Sequence, residues 1–112
     1  MPKMRVNGVE IDYEDQGIGS PLVLIHGFGG HKGTWDNVIS DLSRDHRVIT
    51  MSHRGIAGSS QPINGDYSIE TMSEDLYLLL AALKVENPVL LGHSMGGTIL
   101  LVYYFRHPEA CG

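Results

Sequence analysis

A single serine lies between two apolar segments, with a glycine two positions away on each side. The residues Gly92-His93-Ser94-Met95-Gly96 fit the pattern G-x-S-x-G. A strand-to-helix turn of this kind exposes the serine hydroxyl at the positive end of the helix dipole, where negative charge is stabilised. We therefore predict that Ser94 is a nucleophile with a positive φ, and that Gly92 and Gly96 leave room for the bend. The alternative is an ordinary turn that contains a small polar residue.

A nucleophilic serine also needs hydrogen-bond donors for the oxyanion that forms on the attacked carbonyl. The backbone N–H of Met95 is one candidate, and that of Phe28, in a glycine-rich loop, is the other. A glycine-rich loop between a strand and a helix could instead bind a dinucleotide. The spacing argues against that interpretation, because Lys32 takes the place of the third glycine, and Ser52 and His53 stand where an acidic residue is needed.

Hydrophobic periodicity predicts the elements that position these loops. Asn7-Gly8 predicts a two-residue hairpin turn between two alternating segments. Wholly apolar runs predict strands buried on both faces, and stripes at helical spacing predict helices capped by Thr34 and Ser68. The expected strands are 4–6, 9–13, 22–25, 47–51 and 88–91, and the expected helices begin near residues 35, 69 and 95. This alternation indicates an α/β fold with a mostly parallel sheet and an antiparallel hairpin at its start.

Together, these segments resemble the N-terminal half of the α/β-hydrolase fold superfamily. The resemblance rests on LVLIHGFGG, the following Trp35, RGIAGSS and GHSMGG, which occur in the family's order and cover essentially the whole chain. It implies a sheet ordered 1-2-4-3-5, with Ser94 as the nucleophile and Phe28 and Met95 as oxyanion-hole donors. A serine instead of an aspartate at position 94 argues against the haloalkane dehalogenase and epoxide hydrolase branches.

Further residues around the site are expected to have structural roles. His26 is expected to support the oxyanion loop, and His93 is expected to face away from Ser94. The full set of structural residues is His26, Gly27, Gly92, His93, Gly96 and Gly97. One segment, SHRGIAGSS, departs from the family, because Ser52 replaces its aspartate and Ala57 its second glycine. That turn is structural in the family, so the departures bear on its stability more than on chemistry.

The family's triad continues from the serine to an acid and a histidine on later strands, and neither has a counterpart after the helix at 95–106. His107 cannot substitute, because a helix of about 11 residues would place it about 16 Å from Ser94. We therefore interpret residues 1–112 as the N-terminal portion of a single hydrolase domain, without its acid- and histidine-bearing half. The expected function is hydrolysis of esters or related acyl compounds by a serine hydrolase. An inactive fragment, a non-catalytic binding module, a carbon–carbon hydrolase and a cofactor-free haloperoxidase remain alternatives.

Composition limits the partners. The formal net charge of −5 and the scattered basic residues argue against nucleic-acid binding. No apolar run is long enough to span a membrane, and the single cysteine, Cys111, fits a reducing, cytoplasmic location. The loop histidines His31 and His53 lie on the catalytic side, but no spacing indicates a metal site, and we expect no cofactor. Residues 88–91 should form an exposed edge that pairs with a second copy or with the C-terminal half.

Overall fold

The computed structural model describes residues 2–27, 30, 32–56, 58–62 and 65–111, with the backbone alone at 32, 110 and 111. The predicted oxyanion donor Phe28, together with His31 and Ala57, lies outside the described residues. Over the described ranges, the chain forms a five-stranded sheet with α-helices packed on both faces.

The chain begins with the predicted hairpin. Strand β1 (Lys3–Val6) pairs antiparallel with β2 (Val9–Gln16). The two turn residues have positive φ, 51° at Asn7 and 82° at Gly8, as a tight hairpin turn of the primed type requires. Asparagine and glycine tolerate this conformation better than other residues, so the local sequence alone determines the turn.

The remaining strands form the parallel part of the sheet. They are β3 (Ser20–Ile25), β4 (His46–Met51) and β5 (Val89–Gly92). Strand β3 lies between β4 and β5 and is parallel to both, and β2 joins the outer edge of β4 in the antiparallel direction. The resulting order, β1-β2-β4-β3-β5, confirms the predicted order. Because Ile25 is in register with Gly92, the loops after β3 and β5 meet at one edge of the sheet.

Three helices cover the sheet: α1 (Asp36–Leu42), α2 (Ile69–Ala82) and α3 (Met95–Arg106). Side chains alternate between the two faces of each strand, so the sheet has two separate hydrophobic clusters. The larger cluster joins the sheet to α2 and α3 and includes Val23, Ile25, Ile49, Met51, Leu76, Leu79 and Tyr103. The smaller cluster joins the opposite face to α1 through Leu24, Val48 and Ile39.

The helix starts agree with the sequence at α2 and differ at α1. Ser68 caps α2 as predicted, because its Oγ accepts a hydrogen bond from the Thr71 N–H at 3.2 Å. The prediction that Thr34 caps α1 is wrong. Residues Lys32–Trp35 form a 3₁₀ turn that leads into α1, and the capping position falls on Trp35, which makes no side-chain cap bond. Such turns are frequent at helix ends, and the helical stripe that begins at residue 35 does not distinguish them.

Strand β5 is less buried than predicted. The apolar run 88–91 was expected to be covered on both faces, but Val89 is 62% exposed and Leu91 47% exposed. Only Leu90 faces the cluster under α2 and α3. Val89 and Leu91 lie beside Leu22 and Leu24 on the α1 face, and β5 is the last strand of the described sheet. In the part of the chain that the structure describes, no helix is long and apolar enough to cross a membrane.

Candidate active site

Ser94 lies at a sharp turn between β5 and α3. Its backbone angles are φ 56° and ψ −117°, so the predicted positive φ is confirmed. A residue with a side chain rarely adopts such angles, and they occur mostly where the surrounding structure compensates for the strain. The Ser94 side chain is exposed, and its hydroxyl makes no hydrogen bond to the N-terminal turn of α3. The serine is therefore held by its backbone, with its hydroxyl available to react.

Three glycines allow the backbone to approach this closely. A Cβ added to Gly92 would lie 2.5 Å from the carbonyl carbon of Gly96. A Cβ added to Gly96 would overlap the carbonyl oxygen of Ile25 at the end of β3. A Cβ on Gly27 would lie 2.5 Å from the His93 carbonyl oxygen. Any side chain at these positions would push the turn away from β3, so the glycines bring Ser94 against the loop that follows β3.

The N-terminal turn of α3 provides a donor beside the serine. The N–H groups of Gly96 and Gly97 bond to the carbonyl oxygens of His93 and Ser94, each at 2.9 Å. No comparable bond engages the Met95 N–H in the described part of the chain. The free N–H groups at a helix start favour an anion, so the Met95 N–H could stabilise an oxyanion formed on a carbonyl attacked by Ser94.

His26 and His53 hold the loops after β3 and β4 together. The His53 N–H donates to His26 Nε2 at 3.1 Å, and His53 Nε2 lies 3.0 Å from the His26 carbonyl oxygen. A carbonyl oxygen only accepts, so the proton of His53 is on Nε2. His26 Nε2 accepts, so its proton is on Nδ1, which lies 2.8 Å from the Gly27 carbonyl oxygen. The heavy-atom geometry thus assigns one tautomer to each ring.

This pair supports the loop where the second oxyanion donor was predicted. The ring centroids of His26 and His53 are 4.1 Å apart, and both side chains are 1% exposed. His26 therefore joins the ends of β3 and β4 through both its backbone and its ring. The contact of His53 with His26 was not apparent from the sequence, because the two histidines are 27 positions apart and follow different strands.

The environment of His53 changes its acid–base properties. Burial, with repulsion from the neighbouring His26 as a smaller cause, lowers the pKa of His53 to about 4. The ring is therefore neutral at pH 7. Its Nδ1 is a buried acceptor with no hydrogen-bond partner among the residues that the structure describes.

Serine hydroxyls fasten the loop after β4 to strand β2. Ser59 Oγ donates to the Ser52 carbonyl oxygen at 2.6 Å and accepts from the Asp12 N–H at 2.8 Å. Ser60 Oγ accepts from the Glu10 N–H at 2.8 Å. Ser52, which replaces the family's aspartate, is fully buried and donates its N–H to the Asp12 carbonyl oxygen at 2.9 Å. The described part of this loop is anchored despite the departure at position 52.

A buried ion pair positions the same loop against α2. Arg54 makes two bonds to Asp75, with Nε–Oδ2 at 2.7 Å and Nη2–Oδ1 at 2.8 Å. The two side chains are 3% and 1% exposed. Hydrogen bonding to Asp75 raises the pKa of Arg54. Asn7, in the hairpin turn, also donates to Asp75 at 3.0 Å. The network joins the hairpin, α2 and the loop that carries His53.

A cavity of about 460 Å³ adjoins the serine turn. Its lining includes His26, His53, Ile56, Tyr67, Met72 and Met95. Ile56, Met72 and Met95 supply its apolar side chains, Arg54 also lines it, and Met95 is the residue that follows the candidate nucleophile. The cavity therefore lies between the His26–His53 pair and the start of α3.

No hydrogen bond joins the Ser94 hydroxyl to a histidine or a carboxylate among the described residues. His93 is exposed and adjacent to Ser94 in the chain. His107, at the end of α3, bonds to Glu74 Oε1 at 2.8 Å, and its ring stacks on that of Tyr77 with the centroids 3.6 Å apart. No group of three His, Cys, Asp or Glu side chains suited to a metal ion occurs in the described ranges. The serine turn is present with the Met95 N–H beside it, and no base contacts the Ser94 hydroxyl among the described side chains.

The chain is similar in sequence and fold to known proteins. The chain is 34% identical over 105 residues to a 2-hydroxymuconate semialdehyde hydrolase from Pseudomonas sp. strain CF600, covering 91% of this chain and 37% of that protein. It is 42% identical to the crystal structure of a bromoperoxidase from Bacillus anthracis, with a TM-score of 0.81 over 86% of this chain and 35% of the other. A membrane phospholipase A, described as a bacterial virulence factor, matches at 34% identity and TM-score 0.91, covering 97% and 36%.

The chain thus spans about a third of the length of each of these proteins. A model of the alpha/beta hydrolase fold matches residues 20–112, from the start of β3 onward. The strand order, the positive φ at the serine and this match agree, and the chain belongs to the alpha/beta hydrolase fold family.

Proposed function

We propose that this chain is the nucleophile-bearing portion of a serine hydrolase that acts on carboxylic esters or related acyl compounds. The observation that carries the proposal is Ser94, exposed at a strand-to-helix turn with φ 56°. In the proposed reaction, Ser94 Oγ bonds to the carbonyl carbon while its proton passes to a base. The oxyanion accepts a hydrogen bond from the Met95 N–H. Collapse of this intermediate expels the alcohol and leaves an acyl-serine, which water hydrolyses to the acid.

The base and the acid that orients it would come from a further part of the whole protein. Two observations support this. No histidine is hydrogen-bonded to the Ser94 hydroxyl among the described residues, and the chain covers only about a third of each matched protein. Serine without a base is a weak nucleophile at neutral pH. We therefore expect the 112-residue chain alone to hydrolyse p-nitrophenyl acetate slowly, with a residual rate from the oxyanion donor.

The test compares the 112-residue chain with the longest product of its gene, each with and without the substitution Ser94→Ala. Hydrolysis of p-nitrophenyl acetate and labelling by a fluorophosphonate report on the serine directly. We expect the active form to lose at least about 1000-fold in kcat on substitution. Hydrolysis that persists unchanged in Ser94→Ala would contradict the proposal, and so would fluorophosphonate labelling at another residue.

A peroxide-dependent halogenation is the second candidate, favoured by the 42% identity to the bromoperoxidase. The same active form should then consume bromide and hydrogen peroxide in a reaction that requires Ser94. Halogenation without ester hydrolysis would favour this candidate over the first. Ester hydrolysis without halogenation would favour the first.

A further inference from the structure

We infer that His53 is a positioning residue for the reaction of Ser94, because its ring fixes the peptide group between His26 and Gly27, which lies against the serine turn. The inference rests on the proposed function, since positioning affects a rate only if Ser94 reacts. It assigns to that reaction a side chain from the loop after β4, whereas Gly27 follows β3 and Ser94 follows β5.

His53 holds His26 by two hydrogen bonds. The His53 ring donates from Nε2 to the His26 carbonyl oxygen at 3.0 Å, and the His53 backbone N–H donates to the His26 ring at 3.1 Å. The His26 ring in turn donates from Nδ1 to the Gly27 carbonyl oxygen at 2.8 Å. Both histidine side chains are 1% exposed, so water competes little for these bonds. The carbonyl groups on both sides of Gly27 are therefore held, one by His53 directly and the other through His26.

The segment that His53 holds is packed against the serine turn. A Cβ added to Gly27 would lie 3.0 Å from Ser94 Cβ. A Cβ added to Gly96 would lie 2.9 Å from the His26 carbonyl oxygen, which is the atom that accepts from His53. Because the backbones are this close on both sides of Ser94, a shift of the segment must move the serine turn as well.

His53 also lies on the catalytic side of the sheet, where a base for Ser94 would be needed, but its geometry does not suit that role. The Nε2 proton is donated to the His26 carbonyl oxygen, and Nδ1 is buried and makes no hydrogen bond to the Ser94 hydroxyl. Burial lowers the pKa of the ring to about 4, so it is a weak base at pH 7. Its hydrogen bonds serve to hold the chain in place.

The consequence concerns the rate of the reaction more than the binding of the substrate. The Ser94 side chain makes no bond to the first turn of α3, so the hydroxyl is placed by the backbone of the turn. Attack on a carbonyl depends on the placement of the hydroxyl relative to the oxyanion donors, and a displacement of about 1 Å can lower a rate roughly 100-fold. Loss of the bond from His53 to His26 should therefore lower kcat and leave KM nearly unchanged.

Glutamine and asparagine at position 53 provide a matched pair of variants. The side-chain Nε2 of glutamine can take the place of the imidazole Nε2, whereas the side chain of asparagine is one bond shorter and does not reach the His26 carbonyl oxygen. Both substitutions remove the ring and its titration, so they differ in this hydrogen bond. The control is His46→Asn, because His46 lies at the opposite end of β4.

The first measurement uses the longest product of the gene. Hydrolysis of p-nitrophenyl acetate gives kcat and KM, and a fluorophosphonate gives the rate of labelling at Ser94. We expect His53→Asn to lower kcat and the labelling rate roughly 10- to 100-fold. His53→Gln should recover most of both rates, and His46→Asn should keep the wild-type values. A general loss of packing would affect His53→Gln and His53→Asn alike.

The second measurement does not depend on activity. NMR of the ¹⁵N-labelled 112-residue chain should show His53 protonated at Nε2. The amide resonances of Gly27 and Ser94 should shift in His53→Asn and return towards their wild-type positions in His53→Gln. The wild-type tautomer tests the inference even if a variant does not fold.

The outcomes separate the inference from the proposed function. Hydrolysis that persists in Ser94→Ala would overturn the proposed function and the inference with it. Hydrolysis that requires Ser94 but is unchanged in His53→Asn would overturn the inference alone. So would a wild-type His53 protonated at Nδ1, or Gly27 and Ser94 resonances that do not move in His53→Asn.

Discussion

At the scale of single residues, we expect the burial of His53 to make the stability of the chain depend on pH. His53 has a pKa of about 4 in the folded chain, against 6.5 when the ring is exposed. Between these values the unfolded chain binds more protons than the folded chain, so the free energy of unfolding rises with pH. The contribution of His53 is fully present above pH 6.5 and lost as the pH falls towards 4.

We predict that this loss amounts to about 3 kcal/mol for wild-type protein over that interval. Urea unfolding at several pH values measures it. His53→Gln removes the titrating group and should flatten the dependence, whereas the control His46→Gln, at a half-buried position, should keep it. If the free energy of unfolding changes with pH equally in the wild-type chain and in His53→Gln, then His53 has the same pKa in the folded and the unfolded chain, and the prediction is wrong.

Two arginine–aspartate pairs of similar geometry offer a direct comparison of burial. The Arg54–Asp75 pair is nearly inaccessible, and the Arg47–Asp15 pair, with its shortest contact at 2.6 Å, is 26% exposed on both sides. We predict that Arg54→Ala lowers the free energy of unfolding by about 4 kcal/mol, because it leaves a buried carboxylate unpaired. Arg47→Ala should cost about 1 kcal/mol or less, because water solvates Asp15. Urea unfolding at pH 7 compares them, and similar losses for both variants would contradict the argument.

At the scale of elements, the close approach of α3 to β3 restricts which residues can occupy the first turn of α3. Gly96 faces the end of β3 so closely that a methyl group there would overlap the Ile25 carbonyl oxygen, whereas a Cβ on Gly97 would have its nearest neighbour at 4.0 Å. The two glycines are adjacent in the sequence and both lie in α3. They therefore separate the packing constraint at the turn from the general effect of glycine in a helix.

We predict that Gly96→Ala lowers the free energy of unfolding by about 2 kcal/mol, because β3 and α3 must move apart to admit the methyl group. Gly97→Ala should be neutral or stabilise the chain by up to about 1 kcal/mol, since alanine favours a helix more than glycine does. Thermal and urea unfolding of the two variants provide the measurement. A loss of stability in Gly97→Ala that matches Gly96→Ala would argue against a local clash.

At the scale of the whole molecule, the described sheet ends at β5, an apolar strand whose outer edge pairs with no other strand among the described residues. Val89 and Leu91 are exposed on β5, and Leu101 and Phe105 on the neighbouring helix α3 are 60% and 76% exposed. Apolar edge strands readily pair with other chains, and natural proteins protect them with charges or a covering element. We propose that two copies of the 112-residue chain pair through β5.

We predict self-association of the chain at micromolar concentration, measured by sedimentation velocity. Leu91→Lys places a charge on the edge and should shift the chain towards monomer. Ile18→Lys is the matched control: Ile18 is 90% exposed, but it lies in the turn before β3, so this substitution should leave association unchanged. A wild-type chain that sediments as a stable monomer would refute pairing through β5. Association that resists Leu91→Lys would place the interface elsewhere.

The sequence by itself determined the features that depend on near neighbours in the chain. Alternating segments located the two hairpin strands and wholly apolar runs located the other three. Asn7-Gly8 determined the hairpin turn, and the glycines around Ser94 determined its positive φ. These signals are local, because side-chain periodicity and backbone sterics act over a few residues. The strand order followed from the family resemblance, since local signals do not specify which strands pair.

Only the tertiary structure decided the features that depend on residues distant in the chain. His26 and His53 meet because β3 and β4 are neighbours, and Arg54 reaches Asp75 because α2 folds back over the loop after β4. The same packing leaves Val89 exposed although its sequence context is that of a buried strand. Burial and hydrogen-bond partners, and with them the pKa of His53, depend on which elements cover a residue, and that is a property of the assembled fold.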